Sequence, residues 1–325
     1  MKVADYGHIK ISGAVFSALL ALGTLTAPVV MAASRGHGDI VVDDTKVFPE
    51  SMSSKTDGTI YIGSSEGIVY RALPGESHAK PWIKPTPENG LMSLLGVLAD
   101  EKSNTLWLCT MPNAFGGGPP STKPSTLMAF DLKTGKRRGA YPFPPPASVC
   151  NDVTIAKEGT AYASDTRNGR IFLLKPGASA LVQFAEDDKL KGIDGIVFGG
   201  DGTLYANNVT EGTLLRVDIK SDGTAGDITE LKLSQPIGGP DGFRLISDNR
   251  FVLAEGNGGK LDEVTIDGDT ATIKTLKDGL MQPAATTPVG DTAYVIEGKI
   301  GYLVDPKLKG KDPGEFKAIA VPLSD

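Results

Sequence analysis

The chain has 325 residues, with 33 Lys and Arg against 39 Asp and Glu, three His, two Cys, 40 Gly and 22 Pro. A formal charge of −6 with no long basic cluster argues against nucleic acid and anionic membrane as partners. An apolar share of 40% excludes global disorder, and the Gly and Pro content suits a turn-rich β protein.

In chain order the first piece is a leader. Lys2 and Lys10 precede an apolar run from Ile11 to Met31, and Ala32-Ala33 offers small residues for cleavage. The run is nearly long enough to anchor in a bilayer. Pro28 and the scattered Gly, Ser and Thr favour a cleaved signal peptide over residues 1–32. On this expectation the mature protein is exported, periplasmic or secreted, and free of the membrane. Residues 33–46 form an N-terminal arm in which 39–44 (DIVVDD) reads as a strand. A second strand-like piece, 316–322 (FKAIAVP), lies near the other end. Either could close a ring of sheets and remove its exposed edge.

Residues 47–325 repeat one pattern. The clearest copy is ASVCNDVTIAKEGTAYASDTRNGRIFLLKPG, in which β-branched and apolar residues alternate between Gly-bearing turns. That is the grammar of antiparallel hairpins. Each copy opens on a marked residue: Glu50, Leu95, Asn151, Asp194, Asp241 and Pro283. The openings recur at roughly 42–47 residues, with one longer step before Asn151, and no helical period intervenes. The reading is all-β: one six-bladed β-propeller with four-stranded antiparallel blades. The long step is explained by residues 111–125 (MPNAFGGGPPSTKPS), a loop too rich in Gly and Pro for a turn, expected to lie over the mouth.

The second strands share a register that ends on Ser64, Thr110, Asp165, Asn208, Glu255 and Glu297. Hairpin reversal returns these six to the face from which the first strands depart, which makes them candidate substrate-binding residues around the mouth. At the openings, Glu50, Asn151, Asp194 and Asp241 converge on the axis. Four hard oxygen donors without Cys or His point to a metal site, best suited to calcium, with another divalent cation as the alternative. Cys109 and Cys150 fall on the same face of neighbouring blades. They read either as a disulfide, favoured by export, or as two buried thiols.

FPESMSSKTDGTIYIGSSEGIVYRAL, VCNDVTIAKEGTAYASDTRNGRIF, GIVFGGDGTLYANNVTEGTLLRV and GPDGFRLISDNRFVLAEG resemble the gluconolactonase, regucalcin and luciferin-regenerating-enzyme family. They are also similar to the related diisopropylfluorophosphatase, paraoxonase and strictosidine-synthase-like propellers. The resemblance implies an axial catalytic calcium held by Glu50, Asn151, Asp194 and Asp241. It also implies that Asp241 is general base or nucleophile in hydrolysis of a small lactone or ester. Two departures matter. Asp194 stands where the family usually has Asn, which should tighten the metal and blunt its Lewis acidity. Val149 stands where the family's sugar lactonases carry Arg, which points to a less polar substrate. The competing readings are a calcium-containing propeller that binds a small ligand without turning it over, and a scaffold that holds metal and no ligand.

Overall fold

The computed structural model describes residues 1–3, 38–116 and 121–323. The expected leader and Gly117–Pro120 of the long loop therefore lie outside the described residues. Nearly everything described is β. Three sheets are four-stranded and antiparallel, spanning Ser93–Pro142, Cys150–Glu186 and Ile193–Glu230. A fourth, Pro240–Lys277, has the same plan with the two-residue Lys232–Leu233 added at its edge.

The remaining sheet has eight strands. One half runs Pro49–Ser54, Ile60–Ser64, Val69–Ala72, His78–Ile83. The other runs Pro283–Val289, Thr292–Glu297, Lys317–Pro322. Ile40–Val42 joins them, antiparallel to Lys317–Pro322 and parallel to His78–Ile83. The N-terminal arm thus supplies the closing strand, and the C-terminal piece lies inside the same sheet. Ile40 and Val42 are buried in a shared core with Phe48, Tyr70 and Phe316.

The innermost strands begin at Pro49, Ser93, Cys150, Ile193, Pro240 and Pro283, and each packs on the next, the last on the first. Between the sheets, aromatic residues at the start of the second strands pack as their register implies. Tyr162, for example, meets Phe184 and Phe198 edge-on, with centroids 5.1 and 5.3 Å away. Cys109 and Cys150 form a disulfide with a Cα separation of 5.3 Å, tying the second strand of one sheet to the inner strand of the next.

Candidate functional site

Every inner strand carries a bulge at its mouth end, and the bulge is what presents the site. The pairing skips between Pro49 and Ser51, Leu94 and Val97, Cys150 and Val153, Ile193 and Ile196, Pro240 and Phe243, and Pro283 and Ala285. Glu50, Leu95, Asn151, Asp194, Asp241 and Ala284 fall within these gaps. An unpaired residue turns its side chain out of the sheet's alternation. All six line a single cavity of about 370 Å³. The equivalent position in the last repeat is therefore Ala284, one residue beyond the expected Pro283.

The residue after the bulge explains why the inner strands can stand so close. Gly96, Gly195 and Gly242 face the backbone of the neighbouring inner strand. A Cβ on Gly195 would meet the Asp241 carbonyl oxygen at 2.6 Å, and one on Gly242 would meet the Ala285 Cα at 2.6 Å. Asp152 occupies this place in the third inner strand and makes use of the room. Arg244 Nη1 and Nη2 donate to its two carboxylate oxygens at 2.7 and 2.9 Å, and the Ile196 amide donates at 3.1 Å. This buried pair acts on the charges of Glu50, Asp194 and Asp241 without lining the site cavity; the sequence reading did not pick it out.

The four expected ligands do come together. Glu50, Asn151 and Asp194 are each less than a tenth exposed. The Asn151 amide nitrogen donates to Asp194 Oδ2 at 2.7 Å and to Thr166 Oγ1 at 3.0 Å. Both of its hydrogens are thus taken by protein, which leaves the amide oxygen as the end offered to a ligand. The Asp194 and Asp241 carboxyls lie close enough for each to act on the other's ionisation. Burial, then the Asp152 charge, pushes Asp194 up to about 7. Burial followed by the Asp194 and Glu50 charges holds Asp241 well above the usual carboxylate range. Glu50 is raised by burial and then by Asp194 and Asp152, against the pull of Arg244.

The donor chemistry fits a hard divalent cation, because the same repulsion that raises these three carboxyls would be relieved by positive charge. Among the described residues no group of three or more His, Cys, Asp or Glu is spaced to hold a metal ion.

The six residues expected around the mouth do not open onto the cavity. Ser64, Thr110, Asp165, Asn208 and Glu255 are 0–1% exposed, and their polar atoms serve the fold. Asp165 accepts from the Val149 amide at 2.9 Å and from Arg170 Nε at 2.8 Å, fixing the approach to Asn151. Asn208 donates to the Lys189 and Lys191 carbonyls, Ser64 to the Ile68 carbonyl, and Thr110 to the Ser93 carbonyl. Glu255 Oε2 accepts from the Gly238 amide, and Glu297 Oε1 accepts from the Met281 amide at 2.8 Å. Each lies opposite the residue just before or at the bulge, where turn backbone needs partners. The cavity wall is instead largely apolar, with Leu95, Phe115, Val149, Val209, Ile300 and Val304, and with Asn257 and Gln282 as its polar side chains. Phe115 comes from the long loop, which does reach the mouth. A larger space of about 880 Å³ opens elsewhere, lined by Ser53, Thr154, Phe198 and Arg244 among others, and contains none of the four expected ligands.

No family model matches the chain, and no curated protein matches it by sequence. Solved structures do match in shape. A gluconolactonase from Xanthomonas campestris superposes with a TM-score of 0.62 at 16% identity, covering 86% of this chain and 87% of that one. Virginiamycin B lyase from Staphylococcus aureus gives 0.56 at 15% identity, covering 88% and 98%. The PQQ-bound aldose sugar dehydrogenase of Streptomyces coelicolor gives 0.57 at 13%, covering 89% and 99%. The fold is that of a β-propeller. At these identities the likeness establishes the propeller fold and nothing narrower. The propeller's site therefore has to be read from its own residues.

Proposed function

We propose that this is a six-bladed propeller, the eight-stranded sheet being its first and last blades joined by Ile40–Val42, and that it hydrolyses small lactones or esters with calcium. The observation that carries this reading is the division of one cavity into a floor of Glu50, Asn151, Asp194 and Asp241 and a largely apolar wall. The gluconolactonase likeness supports it, and so does the fact that the matched proteins named above are enzymes.

Calcium, when bound by the four floor residues, would polarise the substrate carbonyl and offset charge developing on its oxygen. Asp241, in its ionised form, would be the base that takes the proton of the attacking water. Asn151 holds Asp194 in place through its amide N–H, and Glu50 adds the third negative charge. The apolar wall excludes water and seats the non-reacting part of the substrate. Among the described residues no Lys or Arg lines the cavity, so no protein cation there would pair with an anionic substrate.

The test is a panel of γ- and δ-lactones and aryl esters, with and without EDTA, on the protein and its Asp241→Asn variant. Turnover that EDTA abolishes, and that falls by on the order of 10²–10⁴ in the variant, is expected. Tight calcium with no turnover on any member would instead favour the non-catalytic binding propeller, a reading supported by burial and neighbouring charge, which hold Asp241 well above the usual carboxylate range. Glu50→Gln and Asn151→Ala should each weaken calcium binding, measured by titration calorimetry. Unchanged affinity in both would remove the metal assignment.

A further inference from the structure

A second buried carboxyl pair, separate from the four floor residues, lies behind the site. Glu255 ends the strand Arg250–Glu255, and Asp262 sits in the adjacent Lys260–Asp267. Glu255 pairs with Lys260 and Leu253 pairs with Asp262, so the two acids are on one face of the sheet, diagonally adjacent. They are 1% and 0% exposed. Glu255 Oε2 accepts from the Gly238 amide at 2.5 Å. Its other oxygen and both oxygens of Asp262 have no hydrogen-bond partner. Lys260 Nζ stands 4.0 Å from Glu255 Oε1, beyond hydrogen-bond distance. The Thr275 hydroxyl, across the strand pair from Asp262, eases its charge without bonding to it in proper geometry. The face is otherwise apolar, with Leu214, Leu231, Ile237, Leu253 and Val264 in one core cluster.

Three orphaned carboxylate oxygens in such a place would be costly if both groups were ionised. The strand register sets the two carboxyls side by side on one face, and the nearness of Glu255 helps to raise Asp262. Two carboxyls can use that proximity only if one of them is protonated.

The segment they hold is part of the site. Gly256 donates to the Gly239 carbonyl at 2.8 Å, and the Asn257 and Gly258 amides donate to the Gly238 carbonyl at 3.1 and 2.8 Å. Gly238–Asp241 and Glu255–Gly258 are thereby one knot, and Gly239, Asp241, Gly256 and Asn257 all line the cavity. Glu255 grips that knot from behind through Gly238.

We infer that Glu255 and Asp262 form an acid pair sharing one proton, and that this pair is a positioning device for Asp241. While the proton is held, Glu255 stays on the Gly238 amide and the knot is fixed. When the proton is lost, two adjacent buried charges push apart and the knot loosens. Burial, with Glu255 beside it, puts Asp262 up to about 7, so the change falls near neutrality. The positioning role rests on the reading of Asp241 proposed above; the shared proton does not.

Asp262→Asn and Glu255→Gln test it, because in either variant an amide N–H replaces the shared proton. A carboxyl raised in the folded state favours folding at low pH, and that contribution is lost as pH rises through the raised value. In EDTA, the wild-type melting temperature should therefore fall between about pH 5 and pH 8 by roughly 5 °C more than that of either amide variant. Infrared spectra near neutral pH should show a buried protonated carboxyl band that Asp262→Asn removes. If hydrolysis is found, Asp262→Asn should keep kcat and flatten its decline above neutrality, whereas Asp262→Ala should lower kcat. Identical pH profiles in wild type and both amide variants would overturn the pair. So would a stability gain from calcium above neutrality that persists in Asp194→Asn/Asp241→Asn and disappears when Asp262→Asn is added, since a cation would then fill the place of the proton. The melting and infrared measurements decide the pair even if no lactone or ester is turned over.

Discussion

At the scale of single residues, the carboxyls of the floor set the behaviour of the metal-free protein. Asp194, Asp241 and Glu50 are all raised first by burial; Asp152 then raises Asp194, Asp194 and Glu50 raise Asp241, and Asp194 and Asp152 raise Glu50. Groups raised in this way support the fold below the ordinary carboxylate range and withdraw that support as pH climbs through the raised values. The metal-free protein should therefore melt at a lower temperature at about pH 8 than at about pH 5, and calcium should restore the loss chiefly at the higher pH. Scanning calorimetry in EDTA and in calcium checks both halves of this statement. Asp194→Asn removes one charge from the cluster, so the variant should lose less stability on going alkaline while binding calcium more weakly. A steeper pH loss than in the wild type would contradict the account. The Asp152–Arg244 pair behaves differently, because each partner is the principal charge set against the other in a buried place. Asp152→Ala or Arg244→Ala should cost about 3–5 kcal/mol by denaturant titration. Of these residues the sequence displayed Glu50, Asn151, Asp194 and Asp241, since they recur at one place in a repeat. Arg244 was hidden, because its partner lies in another repeat and neither residue breaks the local pattern.

At the scale of the strand, the decisive element is the bulge followed by a small residue. Asp194-Gly195 and Asp241-Gly242 look in the sequence like ordinary turn dipeptides. In the fold they sit at the strand openings, with glycine present because the next inner strand passes against it. Gly195→Ala should therefore destabilise the protein by about 1–3 kcal/mol and disturb Asp241, whose carbonyl the new methyl would meet. Gly202→Ala, where no neighbour lies within 4 Å, is the control for loss of glycine itself; its φ of +87° carries a backbone cost but no collision. Equal effects on substrate or calcium binding from the two substitutions would argue against the close-approach explanation. The hairpin rhythm made the strands legible to within a residue or so, as with Cys150–Ile155 and Ala161–Asp165. The mouth ring of Ser64, Thr110, Asp165, Asn208, Glu255 and Glu297 failed because alternation predicts which way a regular strand points. These residues face a bulge and turn backbone, and are consumed by it.

At the scale of the whole molecule, the sheet that joins Ile40–Val42 to Lys317–Pro322 ties distant parts of the chain together. Placing charge there, as in Ile40→Asp with Val42→Asp, should remove about 3–6 kcal/mol of apolar burial and lower the melting temperature cooperatively. A local loosening that spares the main calorimetric transition would show that the closing strand is not integral. The pairing also acts as a clock. During synthesis the arm is made first, and its antiparallel neighbour emerges only after nearly every other strand has been threaded out. Until then Ile40–Val42 has only a parallel edge to rest on, and the inner strands have no complete circle to lean against. A nascent chain arrested before Lys317 should therefore remain protease-sensitive throughout, however many hairpins it has already formed. Release of the last few strands would then convert the whole molecule at once, so that quality control reads a single late event rather than a gradual gain of structure.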